Sequence, residues 1–102
     1  MNVLMMNGSP NSNGNTAIAL NEMKKIFDEE GAETEIVTVG NKAIRGCTGC
    51  ERCFDIGKCV FEDLVNETVP KFEKADGLVI ASPVYFGSAN GTLISFLDRL
   101  FY

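Results

Sequence analysis

A single α/β domain built on a parallel sheet is the fold class this sequence predicts, and three observations carry it. Two runs, "NVLMM" (Asn2 to Met6) and "GLVIASP" (Gly77 to Pro83), are continuously apolar, as strands covered on both faces are. A third, "TEIVTV" (Thr34 to Val39), alternates as an edge strand with one wetter face does. Helical periodicity follows each strand, and a strand–helix order repeated three times calls for a parallel sheet with right-handed crossovers.

The elements follow in chain order. After "NGSPNSNGN" the first helical stripe is Thr16, Leu20, Met23 and Phe27, with Ala19 and Ile26 beside it, and Gly31 ends the helix as a C-terminal cap. An irregular, cysteine-rich excursion over 44–60 interrupts the path from the second strand to the second helix. "FEDLVNETVPKFEKA" then turns Phe61, Leu64, Val65, Thr68, Val69 and Phe72 to one side, and Pro70 inside it predicts a kink or a split. "GTLISFLDRLF" forms the last helix, with Leu93, Phe96, Leu97 and Leu100 inward.

Composition narrows the function. The 102 residues suit one domain, with no repeat, linker or low-complexity tract. A net charge of −5 argues against nucleic acid or an anionic membrane as partner, because phosphate surfaces need a basic face. No stretch approaches the roughly eighteen apolar residues of a membrane-spanning helix, and no basic region precedes an apolar N-terminus, so a cytoplasmic protein is expected. With no histidine, a hydrolase would lack its usual base.

Two loops carry binding chemistry. "GSPNSNGNT", Gly8 to Thr16, follows the first strand and opens a helix. Its amides and the helix N-terminus would form an anion nest completed by the hydroxyls of Ser9, Ser12 and Thr16. It has neither the lysine of a nucleotide-hydrolase loop nor the dinucleotide fingerprint. A phosphate held without a basic side chain suggests a bound monoester such as that of flavin mononucleotide (FMN); a plain polar loop with a helix cap is the alternative. "SPVYFGSANG", Ser82 to Gly91, leaves the third strand. Ligands of open parallel sheets sit outside the carboxyl ends of strands, at the switch point between first and third, so both loops face one crevice. There Tyr85 and Phe86 would line an aromatic ring system while backbone groups from Val84 to Ser88 bond its polar edge. Packing of those aromatics under the loop is the bland reading.

The four cysteines, Cys47, Cys50, Cys53 and Cys59, lie within "CTGCERCFDIGKC" at spacings of three, three and six. In a reducing compartment they read as ligands or redox thiols rather than disulfides. Three thiolates two residues apart can wrap three corners of an iron–sulfur cubane, and a fourth nearby takes the last iron. Zinc is an alternative, although structural zinc sites usually set two knuckles farther apart; unmetallated or oxidised thiols are another.

"GSPNSNGNT", "PVYFGSANGTLISFLDR" and the compact cysteines together resemble the NADPH-dependent FMN reductase superfamily of flavodoxin-like proteins, and within it the iron–sulfur flavoproteins. The resemblance implies a three-layer α-β-α fold binding FMN. Ser9, Asn11, Ser12, Gly14, Asn15 and Thr16 would hold the phosphate, and Pro83, Val84, Tyr85, Phe86, Gly87 and Ser88 the isoalloxazine ring. The four cysteines look like the family's [4Fe–4S] set. The implied function is electron transfer: FMN takes two electrons and releases them singly to a neighbouring cluster. NAD(P)H or ferredoxin would be the donor, and dioxygen, peroxide, a quinone or another small molecule the acceptor. A homo-oligomer, dimer or tetramer, is implied as well. The rival class is a non-enzymatic four-cysteine metal-binding or redox-sensing module on the same scaffold.

The departure from the family lies at the end. Flavodoxin-like sheets run 2-1-3-4-5, whereas three strands precede Tyr102 here. The expectation is an N-terminal part of a longer protein or an obligate oligomer, with Leu78–Ala81 as an exposed edge and the last helix offering apolar surface through Leu93, Phe96, Leu97, Leu100 and Phe101.

Overall fold

Three parallel strands order as β2-β1-β3 in a computed structural model that describes residues 1–101; Tyr102 lies outside them. β1 (Asn2–Asn7) sits centrally, paired with β2 (Glu33–Thr38) from Asn2↔Glu33 to Asn7↔Thr38 and with β3 (Gly77–Ala81) from Val3↔Gly77 to Asn7↔Ala81. Its continuous apolar run is buried on both faces as expected. Leu4 and Met6 point to one side, into a core with Val37, Val39, Val65 and Phe96; Val3 and Met5 point to the other, against Leu20, Phe27 and Ile36.

α1 (Asn15–Glu29) covers the second of those faces. Its buried residues are Ala17 and Leu20, with Phe27 half-buried, while Ala19, Met23 and Ile26 of the expected stripe face solvent. The contact line is therefore rotated towards 17, 20, 24 and 27, because a single helix over a three-strand sheet touches it along a narrow strip. Gly31 closes α1 as expected: at φ 83° its N–H reaches Asp28 O at 3.1 Å, and Ala32 N–H reaches Phe27 O at 3.0 Å. That pair of bonds is a Schellman motif, which requires the left-handed residue.

The other face is covered by α3 (Leu64–Lys74) and α4 (Gly91–Phe101). α3 starts three residues later than the helical pattern suggests, because Asp63 caps it, its Oδ1 accepting from Val65 N–H at 3.0 Å. The split expected at Pro70 does not occur: α3 runs unbroken through it. Pro70 lies on the exposed side of α3, and its missing N–H forgoes one ladder bond. On α4 the inward side is Leu93, Phe96 and, unexpectedly, Arg99, with Leu97 and Leu100 half-buried.

The double burial that its apolar run suggests is not found for the third strand, and the exposed edge expected at Leu78–Ala81 is. Leu78 and Ile80 are 38% and 41% exposed, since β3 is an edge and neither α3 nor α4 extends over its outer side. After β3, β4 (Val84–Tyr85) and β5 (Ser88–Ala89) form a separate antiparallel ribbon. Between β2 and α3 the chain is irregular except for one turn, α2 (Cys53–Ile56). Among the described residues no helix is long and apolar enough to cross a membrane.

Candidate functional site

The loops leaving β1 and β3 meet. Gly8 N–H donates to Ala81 O at 2.8 Å, one step past the strands. Asn90, only 4% exposed, then joins the two: its Nδ2 donates to Gly8 O, its Oδ1 accepts from Ser82 Oγ at 2.8 Å, and its N–H donates to Ser82 Oγ at 3.1 Å. A buried amide so fully paired holds its partners in register, because breaking any one bond strands a polar atom. Sequence reasoning did not single out Asn90 as a functional residue. Its partner Gly8 lies 82 residues away.

The first loop is wound by its own side chains. Asn7 Oδ1 accepts from Ser9 N–H at 2.9 Å, Ser9 Oγ from Asn11 N–H at 3.1 Å, and Asn11 Oδ1 from Asn13 N–H at 2.9 Å. These turns use the short polar side chains that compete best with regular backbone bonding. They leave α1 with Gly14 as its N-cap and no side-chain cap, so among the described residues no side chain bonds the first-turn amides of Asn15, Thr16 and Ala17. An uncapped N-terminus beside the hydroxyls of Ser12 and Thr16 is chemically suited to an anion. Ser9 is buried and holds the loop shape, while Asn11, Ser12 and Asn15 are exposed and Gly14 and Thr16 half-buried. The loop also rests on Gly40, whose backbone approaches Gly8 and Ser9 so closely that a Cβ there would lie 2.1 Å from Gly8 O.

The second loop is a tight hairpin. Phe86 (φ 57°) and Gly87 (φ 76°) occupy its two central positions, the left-handed pair of a type I′ turn. Glycine adopts that conformation freely; phenylalanine does so at a cost of about 1 kcal/mol or more. The strain presents Phe86, fully exposed, at the tip, with Tyr85 and Val84 also exposed and Pro83 half-buried. The aromatic pair is thus offered to solvent rather than packed beneath the loop. The ladder between Val84–Tyr85 and Ser88–Ala89 occupies part of the backbone expected to face a ligand edge.

All four cysteines are free thiols and line one concavity of about 200 Å³, together with Phe54, Phe61, Asn66 and Arg99 among others. Cys47 and Cys50 are exposed, Cys53 and Cys59 half-buried. Gly49 N–H points at Cys47 Sγ at 3.4 Å. A backbone hydrogen bond at Arg52, opposed by slight burial and aided by the Thr48 hydroxyl, draws the Cys50 thiol below its ordinary range. Among the described residues no group of three His, Cys, Asp or Glu side chains is gathered tightly enough for a single ion. A cubane, larger than one ion, takes its thiolates at separate corners around a hollow, and the donor set, the amide-to-sulfur contact and the shared concavity fit that shape.

Arg99 is the residue at this site that periodicity concealed. Its side chain is 1% exposed, and all five of its N–H donors are used. Nη1 bonds Asp63 Oδ2 at 2.6 Å and Arg45 O at 3.0 Å, Nη2 bonds Asp63 Oδ1 at 2.9 Å and Phe61 O at 2.8 Å, and Nε points at Cys59 Sγ at 3.3 Å. The Phe61 ring lies under this guanidinium at 5.5 Å and under that of Arg45 at 4.8 Å. Burial opposes the Arg99 charge, but the bonds to Asp63 and Cys59 outweigh it and raise its pKa. Asn66 grips the same segment through Nδ2, at 2.9 Å from Cys59 O and 3.4 Å from Phe61 O. α4 thus reaches both regions: Leu93 packs behind Gly8, and Arg99 holds Cys59, about 9 Å farther along the axis.

The sequence profile described as NADPH-dependent FMN reductase matches residues 1–102. The chain is 39% identical over 99 residues to an iron–sulfur flavoprotein of Methanocaldococcus jannaschii, covering 97% of this chain and 51% of that protein. An iron–sulfur flavoprotein of Methanosarcina thermophila is 31% identical, with 97% and 52% covered. The chain therefore spans about half the length of the curated relatives it matches. Among solved structures, a flavone reductase superposes with a TM-score of 0.71 at 27% identity, covering 97% of this chain and 29% of that one. An NAD(P)H:quinone oxidoreductase from Methanothermobacter marburgensis gives 0.76 at 18% identity, covering 99% and 53%, a likeness of fold. With a matching profile over its whole length and a flavodoxin-like sheet in the 2-1-3 order, this chain belongs to the NADPH-dependent FMN reductase family.

Proposed function

We propose that this chain carries the FMN site and the cysteine centre of an electron-transfer oxidoreductase. The observation that carries the reading is the convergence of the Gly8–Thr16 and Ser82–Asn90 loops, tied through buried Asn90, beside an uncapped α1 N-terminus. In this reading the amides of Asn15 and Thr16, with the Ser12 and Thr16 hydroxyls, bind the phosphate monoester, and Ser9, Asn11 and Gly14 hold the loop's shape around it. Pro83, Val84, Tyr85, Phe86, Gly87 and Ser88 form the ribbon against the ring. FMN, once bound, supplies two-electron chemistry that can be delivered one electron at a time. Cys47, Cys50, Cys53 and Cys59 hold a [4Fe–4S] cluster, a reading supported by the names of the curated relatives and by the shared concavity. NAD(P)H or ferredoxin is the donor, and a quinone, dioxygen, peroxide or similar small molecule the acceptor. Assembly as a dimer or tetramer belongs to the same reading, supported by the open face of Leu78 and Ile80 on β3 and by exposed Phe101 on α4.

Thr16→Val removes one hydroxyl donor and should weaken FMN by about 1–2 kcal/mol, since hydrogen bonds to charged groups run higher than neutral ones. Riboflavin, lacking the phosphate, should be almost indifferent. Equal weakening of both ligands in a fluorescence titration would take the phosphate away from this loop. At the cysteines, anaerobic reconstitution should give close to four irons and four sulfides per chain. Cys50→Ala should lose the cluster and keep FMN, since the two loops are separate. Zinc without iron or sulfide in anaerobically prepared protein, and no flavin bands after FMN addition, would favour the non-enzymatic metal-binding module instead.

A further inference from the structure

Of the four cysteines, Cys59 stands in a different environment from the others. Cys47 and Cys50 are exposed, and Cys53 sits on the single turn α2. Cys59 has its sulfur at 3.3 Å from a buried guanidinium nitrogen and its carbonyl on Asn66 Nδ2 at 2.9 Å. The guanidinium cannot swing away, because its other four N–H groups are committed to Asp63, Arg45 O and Phe61 O. Asp63 is itself held as the cap of α3 through Val65 N–H.

We propose that Arg99 is a positioning residue for the cysteine centre: it fixes Cys59 as the anchoring ligand, and its Nε–H···Sγ bond raises the reduction potential of the cluster. The inference rests on the cluster reading above. The physical cause is charge: reduction adds an electron to a centre already surrounded by thiolates, and a donor aimed at a ligand sulfur stabilises the more negative state. Lysine in its place keeps a positive charge but is a compact ammonium without the planar fork, so it cannot serve Asp63 and Cys59 together. Asn66 provides the contrast, holding the same segment through its carbonyls, its side-chain amide bonded to backbone oxygens rather than to sulfur.

The test is a redox titration of the reconstituted chain followed by electron paramagnetic resonance, with Arg99→Lys and Asn66→Ala beside the wild type. Arg99→Lys should lower the reduced-to-oxidised ratio about tenfold at a fixed poise, which is about 59 mV for one electron. Asn66→Ala should change that ratio less than about twofold while lowering thermal stability. An unmoved potential in Arg99→Lys, or equal shifts in both variants, overturns the proposal and leaves Arg99 as a strut. If Arg99→Lys takes up no cluster, the wild type decides alone: the Arg99 Nε–H resonance must broaden when the cluster becomes paramagnetic, and a sharp one overturns the proposal. Failure of the underlying reading is distinct, since the wild type itself would then hold no iron and sulfide.

Discussion

Arg99→Met should destabilise the domain by about 2–4 kcal/mol. Removing one member of a buried ion pair costs about 3–5 kcal/mol, because the abandoned charge stays in a poor dielectric. The lower figure allows for Asp63, whose side chain is 24% exposed and keeps some hydration. The carbonyls of Arg45 and Phe61 lose their donor in the same substitution. For a domain of this size such a loss lowers the melting temperature by about 10–25 °C. Circular dichroism of the cofactor-free chain measures it, and a loss below about 1 kcal/mol would show that the pair does not hold the segment. Pairing Arg99→Met with Asp63→Leu should recover part of the stability by removing the stranded carboxylate. The recovery stays incomplete by about 1 kcal/mol, because Asp63 also caps α3.

Gly40→Ala should damage the proposed FMN site and the fold together. The added Cβ would meet Gly8 O at 2.1 Å, Ser9 C at 2.3 Å and Ser9 O at 2.5 Å, all backbone atoms that no rotamer change can move. The chain after β2 and the loop after β1 would have to part, opening the bonds from Val39 N–H and Gly40 N–H to Asn7 O. Overpacking of this kind costs about 1–3 kcal/mol, and a backbone-to-backbone clash belongs at the upper end. Because the displaced atoms belong to the loop proposed to hold the phosphate, FMN affinity should fall at least about tenfold as well, which is about 1.4 kcal/mol. Gly91→Ala is the control: its Cβ meets nothing within 4 Å at the start of α4, and it should be neutral or stabilising by up to about 1 kcal/mol. If Gly40→Ala melts and binds FMN like the wild type, the close approach does not shape the loop.

Much of this architecture was legible locally. The apolar run Asn2–Met6 marks a strand buried on both faces wherever the chain goes, and Gly31 at the end of a helical pattern marks its cap. The turns around Gly8–Thr16 were legible for the same reason, since short polar side chains act mainly on near neighbours: Asn7, Ser9 and Asn11 each bond two residues ahead. At β3 two signals disagreed: the apolar run of Leu78 and Ile80 reads as central, while a 2-1-3 order makes it an edge, and the order prevailed. Pattern alone misled at Pro70, which looks disruptive but lies on the exposed side of an unbroken helix.

By itself, then, the sequence determined the three strand–helix repeats, the order of the sheet, the two loops at one end of it and the cluster of four thiols. These depend on periodicity, turn chemistry and chain connectivity, all carried by residues close together in the chain. Only the tertiary structure decided which residues lock the site: Asn90 onto Gly8, Gly40 against Ser9, and Arg99 onto Cys59 and Asp63 across 40 and 36 residues. A buried amide, a glycine and an arginine on an apolar helix carry no local signature of such roles. Their partners are brought within reach only when the sheet closes and α4 lies down across it.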